Sequence, residues 1–293
     1  PEKFQEKITN AFGSEGIVWL ESLTQTVQKY LQKWELTSEG PVDNLSYNYV
    51  LKVTNSIGTP FILKLGVPNF DTGNEMVTLY AYGGDGCAEL LKSDMENGVM
   101  LLERLIPGRM LSAESDEMVV IENYLKVWKA IRRPLAEGTS TPTLTHWFDG
   151  LTRYRNTGEG PISLEHVQLA EDFFQQVMAT SEGSQLLHGD LHHENILYSE
   201  EKGWIAIDPK GVAGDPYFDI ISFLINQLDE KPNPKSSLKL RVDTISEQLG
   251  LNRKRLLKAA IALGTLYACW GVEDQADWET TYQCVKWFIE FLE

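Results

Sequence analysis

Asp190, Asn195 and Asp208 have the residue types and the spacing of a phosphoryl-transfer site. Asp190 lies in the run His188-Gly-Asp-Leu-His192, Asn195 follows it by five residues, and Asp208 comes thirteen residues after that. Phosphoryl transfer needs one carboxylate to orient a hydroxyl nucleophile, and oxygen ligands to hold Mg²⁺ on the phosphates. Asp190 suits the first task, whereas Asn195 and Asp208 suit the second because Mg²⁺ prefers hard oxygen donors. The pattern predicts kinase-type chemistry, and a polar turn between two buried strands is the structural alternative.

Short apolar runs on both sides of these residues predict the strands that position them. Leu186-Leu187 precedes the motif, Ile196-Leu-Tyr198 follows it, and Trp204-Ile-Ala-Ile207 leads into Asp208. The remainder of this half reads as helical, because apolar residues recur at intervals of three to four. The predicted helices are Ser115–Leu135, Leu164–Thr180, Phe218–Leu228, Leu238–Leu249, Arg253–Trp270 and Ala276–Leu292.

The front of the chain has the pattern of a small sheet with helices set against it. Helical periodicity covers Ser14–Trp34, with Ser14 as the cap, and alternating or apolar runs predict strands further on. The predicted strands are 47–53, Phe61–Leu65, Glu89–Ser93 and Val99–Leu102, with a helix over Asn74–Tyr82. A β-rich front joined by one short linker to a helical back predicts an α+β, two-lobed, protein-kinase-like fold. We place a nucleotide-binding N-terminal lobe at 1–105, and a helical C-terminal lobe with the catalytic loop and acceptor site at 106–293.

Lys64 is the candidate for contact with the phosphates of the nucleotide. It is the only basic residue in the apolar strand Phe61–Leu65, where a buried ammonium group is costly unless it is paired. A kinase-type lysine on such a strand contacts the α- and β-phosphates and is held by a carboxylate on the following helix. Glu75 is the best-placed partner and Glu89 is the alternative. A lysine that points into water from an edge strand would be the structural explanation.

Two further segments are candidates for nucleotide contact. The sequence contains no G-x-x-x-x-G-K-[ST] run, so a Walker-type phosphate loop is excluded. The loop Asp43–Asn48 is the candidate phosphate cover, through its backbone amides and the Ser46 hydroxyl, with an ordinary turn as the alternative. The linker Leu101–Gly108 ends an apolar strand, and there the backbone of Glu103 and Leu105 is the candidate reader of an adenine edge.

Composition limits the partners of the chain. A net charge of −16 over 293 residues argues against nucleic acid, because neutralising phosphates needs a basic surface. It is compatible with a cationic small substrate, and equally with acidity that serves solubility alone. There is no run of eighteen apolar residues, so we expect no membrane span. Three scattered cysteines predict neither a disulfide framework nor a zinc site, and favour a reducing cytoplasm.

Taken together, these motifs resemble the aminoglycoside phosphotransferase family, and within it the streptomycin 6-phosphotransferase/hydroxyurea phosphotransferase branch. The residues that carry the resemblance span most of the chain, from about residue 15 to 292. Besides Lys64 and the motif around Asp190, they are the linker 102–108, the run Ile207-Asp-Pro-Lys-Gly211, the run Gly214-Asp-Pro-Tyr-Phe-Asp219, the turn Tyr82-Gly-Gly-Asp-Gly86 and the long helix that ends at Trp34.

The resemblance implies a role for each motif residue. Asp190 would be the catalytic base, Asn195 and Asp208 the Mg²⁺ ligands, and ATP the phosphoryl donor. Asp219 would brace the catalytic loop through backbone amides, with a substrate contact as the alternative. The sequence departs from the family pattern at Glu194, where a small glycine is common, which adds negative charge beside the metal. It also carries His192 where protein kinases have a lysine, so Lys210 or His192 would have to assist the transferred phosphate.

The resemblance implies a small-molecule substrate, with streptomycin or a related aminoglycoside as the acceptor. We expect substrate residues between Trp147 and Arg155 and in the last helices. There Trp270, Glu273 and Asp274 place an aromatic face near carboxylates, which suits guanidinium or ammonium groups. A solvated acidic connection between helices would be the structural explanation. The basic residues Arg253-Lys-Arg255 are expected to lie on an exposed helix face.

Three other functions share some of these features. A metabolic kinase for a choline-, homoserine- or sugar-like acceptor would use the same catalytic residues. A protein kinase fails on spacing, because too few residues separate Asp208 from Asp219 for an activation segment, and the Asp-Phe-Gly run is missing. A nucleotide-binding module without activity is disfavoured, because Lys64, Asp190 and Asn195 are all present together with Asp208.

Overall fold

The computed structural model describes residues 2–293, which divide into two compact units. Unit 1 comprises the chain up to Arg109 together with Tyr198–Ile207, and unit 2 comprises Met110–Leu197 and Asp208–Glu293. The sequence-based division placed every residue from 106 onward in one lobe, whereas the segment Tyr198–Ile207 belongs to unit 1. The reason is backbone pairing: the Ala88 amide donates to the Ala206 carbonyl at 2.8 Å, and the Ala206 amide donates to the Gly86 carbonyl at 3.0 Å.

The helices and strands are named in chain order. The helices are α1 Glu2–Lys33, α2 Phe70–Tyr82, α3 Glu117–Ala130, α4 Leu144–Thr157, α5 Leu164–Ala179, α6 Ile221–Ile225, α7 Pro234–Leu249, α8 Arg253–Glu273 and α9 Glu279–Leu292. The strands are β1 Leu36–Pro41, β2 Tyr49–Asn55, β3 Pro60–Leu65, β4 Leu90–Asp94, β5 Val99–Glu103, β6 Pro107–Met110, β7 Gln185–Leu187, β8 Ile196–Ser199, β9 Gly203–Ala206 and β10 Val212–Gly214.

Unit 1 is built on a five-stranded antiparallel sheet with the order β1-β2-β3-β5-β4. Four of its strands match the predicted ones. Burial alternates in β2 and is consecutive in β3 and β5, whereas β4 has no buried residue. The edge strand β1 was not predicted. Its sequence, LTSEGP, has one large apolar residue and no buried position, so it carries no alternating pattern.

Helix α1 packs against this sheet but differs from the predicted helix. It begins at Glu2 and is kinked at Gly13, where φ is 55° and ψ is −130°, so the helix expected to start at Ser14 is the second of two pieces. Trp19 and Tyr30 are the buried aromatic residues of that second piece, and they pack in the apolar core of the sheet. Ile17, which was expected on the inward face, is 45% exposed.

Unit 2 is helical, with α8 at its centre between α5 and α9. By length and composition α8 is apolar enough to cross a bilayer, but 67% of its most apolar window is buried inside the protein. That burial is typical of a core helix, so the finding is weak evidence for a membrane span. Helix α4 was not predicted, because Gly150 and several polar residues interrupt its apolar spacing of Leu144, Phe148 and Leu151.

The three cysteines, Cys87, Cys269 and Cys284, are buried and form no disulfide. Burial raises the pKa of Cys284 to about 12, and burial together with the charge of Glu273 raises the pKa of Cys269 to about 12. All three thiols are therefore part of the apolar interior rather than reactive groups.

A buried ion pair fixes α7 against the start of α3. Arg241 has no exposed surface, and its Nε donates to Oε1 of Glu117. Its Nη1 donates to the carbonyls of Phe223, Leu224 and Asn226 at 3.1, 3.0 and 2.6 Å, which satisfies the end of α6. Burial disfavours ionised Glu117, but Arg241 and Lys231 outweigh that effect and hold its pKa below 4.5.

We predict that Glu117→Gln destabilises the protein by about 3–5 kcal/mol at pH 7, because it leaves the Arg241 charge buried without a counter-charge. Since the pKa of Glu117 is lower in the folded state, its contribution is complete above about pH 4.5 and is lost as the pH falls through the folded value. Urea unfolding from pH 7 to pH 3 should show the deficit shrinking with acid. Glu122→Gln, on the exposed side of α3, is the control and should show no deficit.

Candidate functional site

The loop that carries Asp190 is held by the buried carboxylate of Asp219. The backbone amides of His188 and Gly189 donate to Oδ2 and Oδ1 of Asp219 at 2.9 and 2.8 Å. Arg132 Nη2 also donates to Oδ2 at 2.5 Å, which supplies the opposite charge that a buried carboxylate requires. The bracing role expected of Asp219 is thus seen in the structure, and Arg132 is a supporting residue that the sequence did not reveal.

Asp219 is itself placed by an ion pair. Asp215 caps the short helical turn that contains Asp219, and Arg255 donates to Oδ1 and Oδ2 of Asp215 at 3.0 and 2.6 Å. Arg253 likewise donates to Asp243 at 2.7 Å and to the Phe291 carbonyl at 3.0 Å. The exposed basic face expected for Arg253–Arg255 is found only at Lys254, because both arginines are partly buried and have carboxylate partners.

The conformation of the loop between β7 and β8 is fixed on both sides of Asp190. Gly189 adopts φ of +83°, and a Cβ there would lie 3.2 Å from Lys210 Cβ and 3.2 Å from Trp147 Cη2. Asn195 Nδ2 donates to the Asp190 carbonyl at 2.9 Å, which fixes the two residues relative to each other. With its amide nitrogen so used, Asn195 has Oδ1 to offer a cation, as a metal ligand would.

Two cationic groups lie beside the Asp190 carboxylate. Lys210 Nζ is 3.4 Å from Oδ2, and His192 Nε2 is 3.6 Å from Oδ1. Burial works against the charged imidazole, but the hydrogen bond to Glu194 and the charge of Asp190 together raise the pKa of His192 above 6.5. Both residues named as assistants for the transferred phosphate therefore lie next to the predicted base.

Glu194 does not add an uncompensated charge to the loop. His192 Nδ1 lies 2.8 Å from Oε2 and must donate to it, because an ionised carboxylate can only accept. Asn226 Nδ2 donates to Oε2 at 2.7 Å and Gln227 Nε2 donates to Oε1 at 2.8 Å. Burial alone would raise the pKa of Glu194. The hydrogen bonds from His192 and Asn226 outweigh that effect and lower this pKa to about 2.

Asp208 is an exposed residue on a segment tied to the same loop. The Lys210 and Gly211 amides both donate to the His188 carbonyl, at 2.8 and 3.0 Å. Asp208 has a positive φ of 55°, uncommon for a residue with a side chain and often found at functional positions. Among residues 2–293 no cluster of three or more His, Cys, Asp or Glu side chains is suited to hold a metal alone. A few protein oxygens plus phosphates is the usual ligand set for Mg²⁺, and Asn195 with Asp208 fits it.

The predicted substrate residues lie at the end of α8. Trp270 packs edge-to-face on Trp147 with ring centroids 5.6 Å apart. Glu273 is bound through both oxygens by Arg153, at 3.1 and 2.9 Å, so its charge is already compensated. Asp274 is exposed just beyond the helix. The structure thus brings Trp270 together with Trp147, and it pairs Glu273 with the basic residue Arg153.

In unit 1 the predicted ion pair between Lys64 and Glu75 is present, with Nζ 2.6 Å from Oε1. Lys64 lies on β3, between β2 and β5, and its side chain is 3% exposed, so it does not point into water from an edge. Glu75 lies in helix α2. The N-cap of this helix is Asn69, whose side chain accepts a hydrogen bond from the Thr72 amide at 2.8 Å. Glu89 instead pairs through its backbone with Glu103, which leaves Glu75 as the partner.

The remaining nucleotide candidates occupy loops of unit 1. Ser46 is exposed in the turn between β1 and β2. The Glu103 amide donates to the Glu89 carbonyl at 3.0 Å, and its carboxylate accepts from Lys202 at 2.7 Å. Leu105 is buried directly after β5. Because the Glu103 amide is engaged, an adenine contact at this position would have to use the Glu103 carbonyl and the Leu105 backbone.

The fold agrees with that of small-molecule kinases. The structure matches choline kinase LicA from Streptococcus pneumoniae with a TM-score of 0.63 at 15% identity, covering 92% of this chain and 99% of that one. The predicted α+β, two-lobed, protein-kinase-like fold is confirmed. The chain therefore has the fold of the kinase-like class.

The chain belongs to the aminoglycoside/hydroxyurea antibiotic resistance kinase family, whose model matches residues 33–275. It is 31% identical over 284 residues to a streptomycin 6-kinase of Streptomyces glaucescens, covering 94% of this chain and 91% of that protein. It is 33% identical over 273 residues to a hydroxyurea phosphotransferase of Kitasatospora aureofaciens, covering 89% and 77%. The chain is therefore a small-molecule phosphotransferase, and the family predicted from its motifs is confirmed.

We predict that Lys64→Met lowers turnover by about 10²-fold or more, the usual cost of removing a charge preorganised for a developing negative charge. Steady-state assays at saturating nucleotide measure this loss. Because the variant leaves Glu75 without its partner, Lys64→Met combined with Glu75→Gln is the test for folding. The double variant should melt near the wild-type temperature and remain as inactive as the single one. Lys92→Met, on exposed β4, should behave as wild type.

Proposed function

We propose that this protein transfers the γ-phosphoryl group of ATP to a hydroxyl group of a cationic small molecule, with a streptomycin-like aminoglycoside as the acceptor. The observation that carries the proposal is the 31% identity to a streptomycin 6-kinase over 94% of the chain. The net charge of −16 supports a cationic acceptor, because a negative protein concentrates cations near its surface. A cytoplasmic location, predicted from the cysteine content, is part of the same proposal.

In this proposal each site residue has one task. Asp190 accepts the proton of the acceptor hydroxyl and orients it, while Lys210 and His192 keep positive charge beside the reacting oxygens. Lys64, held by Glu75, contacts the nucleotide phosphates. Asn195 and Asp208 would hold Mg²⁺, which neutralises charge on the phosphates when it is bound. Ser46 and the backbone of Glu103 and Leu105 are the further nucleotide contacts.

A second candidate acceptor is hydroxyurea, because the chain is 33% identical to a hydroxyurea phosphotransferase. An assay with radiolabelled ATP against streptomycin, other aminoglycosides, hydroxyurea, choline, homoserine and simple sugars separates the candidates. Streptomycin should give the highest kcat/KM, and its reaction should slow as salt rises because exposed charges are screened beyond about 10 Å at 0.1 M salt. A neutral acceptor that outperforms every cation would contradict the proposed substrate class and leave phosphotransferase activity standing.

We predict that Asp190→Asn lowers kcat by about 10²–10⁴-fold, the range typical of a general base. Affinity for ATP should stay within about twofold, because the base acts on the acceptor. Rapid-quench turnover and calorimetric titration with a non-hydrolysable ATP analogue measure the two quantities. Asp229→Asn, an exposed aspartate of unit 2, is the matched control. A loss smaller than about tenfold for Asp190→Asn would remove it from the role of base.

We predict that Asp208→Ala abolishes the part of nucleotide affinity that depends on Mg²⁺, because it removes the only carboxylate proposed as a metal ligand. Asn195→Ala should weaken that affinity less, since it removes a neutral ligand. Titrations of the analogue with Mg²⁺ and with excess chelator give the metal-dependent part by difference. If both variants keep the wild-type difference, the metal is held by other residues.

A further inference from the structure

We propose that Trp147 and Trp270 form an aromatic wall beside Asp190 that binds a guanidinium or ammonium group of the phosphoryl acceptor. The inference rests on the proposed function, because it takes Asp190 as the residue that orients the acceptor hydroxyl. A hydroxyl within hydrogen-bond reach of Asp190 places the remainder of its molecule on the surface that adjoins this residue.

The wall adjoins the catalytic loop directly. Trp147 Cη2 lies 3.2 Å from the point that a Cβ of Gly189 would occupy, so the indole ring lies next to the residue before Asp190. The rings of Trp147 and Trp270 meet edge-to-face at 71°, with centroids 5.6 Å apart. Tyr267 extends the group, its ring centroid 5.8 Å from that of Trp270. Burial, and then the charges of Asp190 and Asp219, raise the pKa of Tyr267, which agrees with this proximity.

Both tryptophans are preorganised by the helices that carry them. A Cβ at Gly150 on α4 would lie 2.8 Å from Trp270 Nε1 and 2.8 Å from Leu266 Cδ1. Because Gly150 has no side chain, Trp270 can pack directly against the backbone of α4. The two-point ion pair of Arg153 with Glu273 ties α4 to the end of α8. Both tryptophans remain half-buried, so each ring has surface left for a ligand.

The chemistry of the wall selects cations. The face of an indole ring attracts guanidinium and ammonium groups, and tryptophan does so best among the aromatic side chains. Of the two carboxylates expected to attract a cation, Glu273 has its charge compensated by Arg153, and Asp274 is exposed beyond the end of α8. We assign recognition of positive charge beside Asp190 to the aromatic faces, with Glu273 acting to hold α4 and α8 together.

The test compares leucine and phenylalanine at each position, with streptomycin as the probe. Trp147→Leu and Trp270→Leu should each raise KM for streptomycin about tenfold, with kcat and KM for ATP within about twofold of wild type. Trp147→Phe and Trp270→Phe keep an aromatic face and should recover most of the affinity. Because Trp147 lies next to Gly189, the phenylalanine variant also separates loss of the indole ring from disturbance of the loop. Trp34→Leu, a half-buried tryptophan of unit 1, is the matched control and should leave KM unchanged.

Calorimetric titration of streptomycin into the wild type and the leucine variants tests the wall without turnover. Streptomycin that binds the wild type, binds the leucine variants about tenfold more weakly and is not phosphorylated would support the wall and overturn the proposed function. Unchanged binding in both leucine variants overturns the wall even if streptomycin is the best substrate. A loss in kcat alone, with KM unchanged, also overturns it, because that result assigns the tryptophans to loop packing.

Discussion

The position of the loop that carries Asp190 depends on one buried negative charge, the carboxylate of Asp219. Two of its hydrogen bonds come from successive amides, those of His188 and Gly189, and a third comes from Arg132. A buried carboxylate is tolerated only when such partners satisfy it. Moving any of these donors away would leave buried charge unsatisfied, so the donors are fixed in place. The backbone that presents Asp190 is thereby fixed without any contact to the Asp190 side chain. The oxygens of that side chain face Lys210 and His192, and in the proposed function they also orient the acceptor hydroxyl.

The same physical solution recurs within each unit, since several buried or partly buried charges have a partner on a different element. Arg255 holds Asp215, Arg241 holds Glu117, and Lys64 holds Glu75. The neutral amides of Asn226 and Gln227 hold Glu194, whose charge would otherwise lie beside the proposed metal ligands. A protein with a net charge of −16 thus confines much of its local electrostatics to paired groups.

The candidate site residues could be named from the sequence because they are close in sequence or conspicuous in their surroundings. Asp190 and Asn195 lie on one loop, and Lys64 is a single charge within an apolar strand. Their supports were not predictable, because they come from distant segments: Arg132 is 87 residues from Asp219, and Arg153 is 120 residues from Glu273. An arginine near the end of a helix carries no pattern that names its partner. For the same reason Arg255 was expected on the surface, and only the folded chain reveals the Asp215 carboxylate beside it.

The three buried cysteines can report local and global unfolding of the protein, because their thiols are accessible to reagents only after unfolding. A maleimide or a disulfide reagent reacts with thiolate. Burial shields all three thiols, and it also raises the pKa of Cys269 and Cys284. Labelling of the native protein must then wait for local or global unfolding, so its rate measures how often each region opens. Cys87 belongs to unit 1, while Cys269 and Cys284 belong to unit 2. Mass spectrometry of the labelled peptides would therefore follow the opening of the two units separately in a protein without any engineered probe.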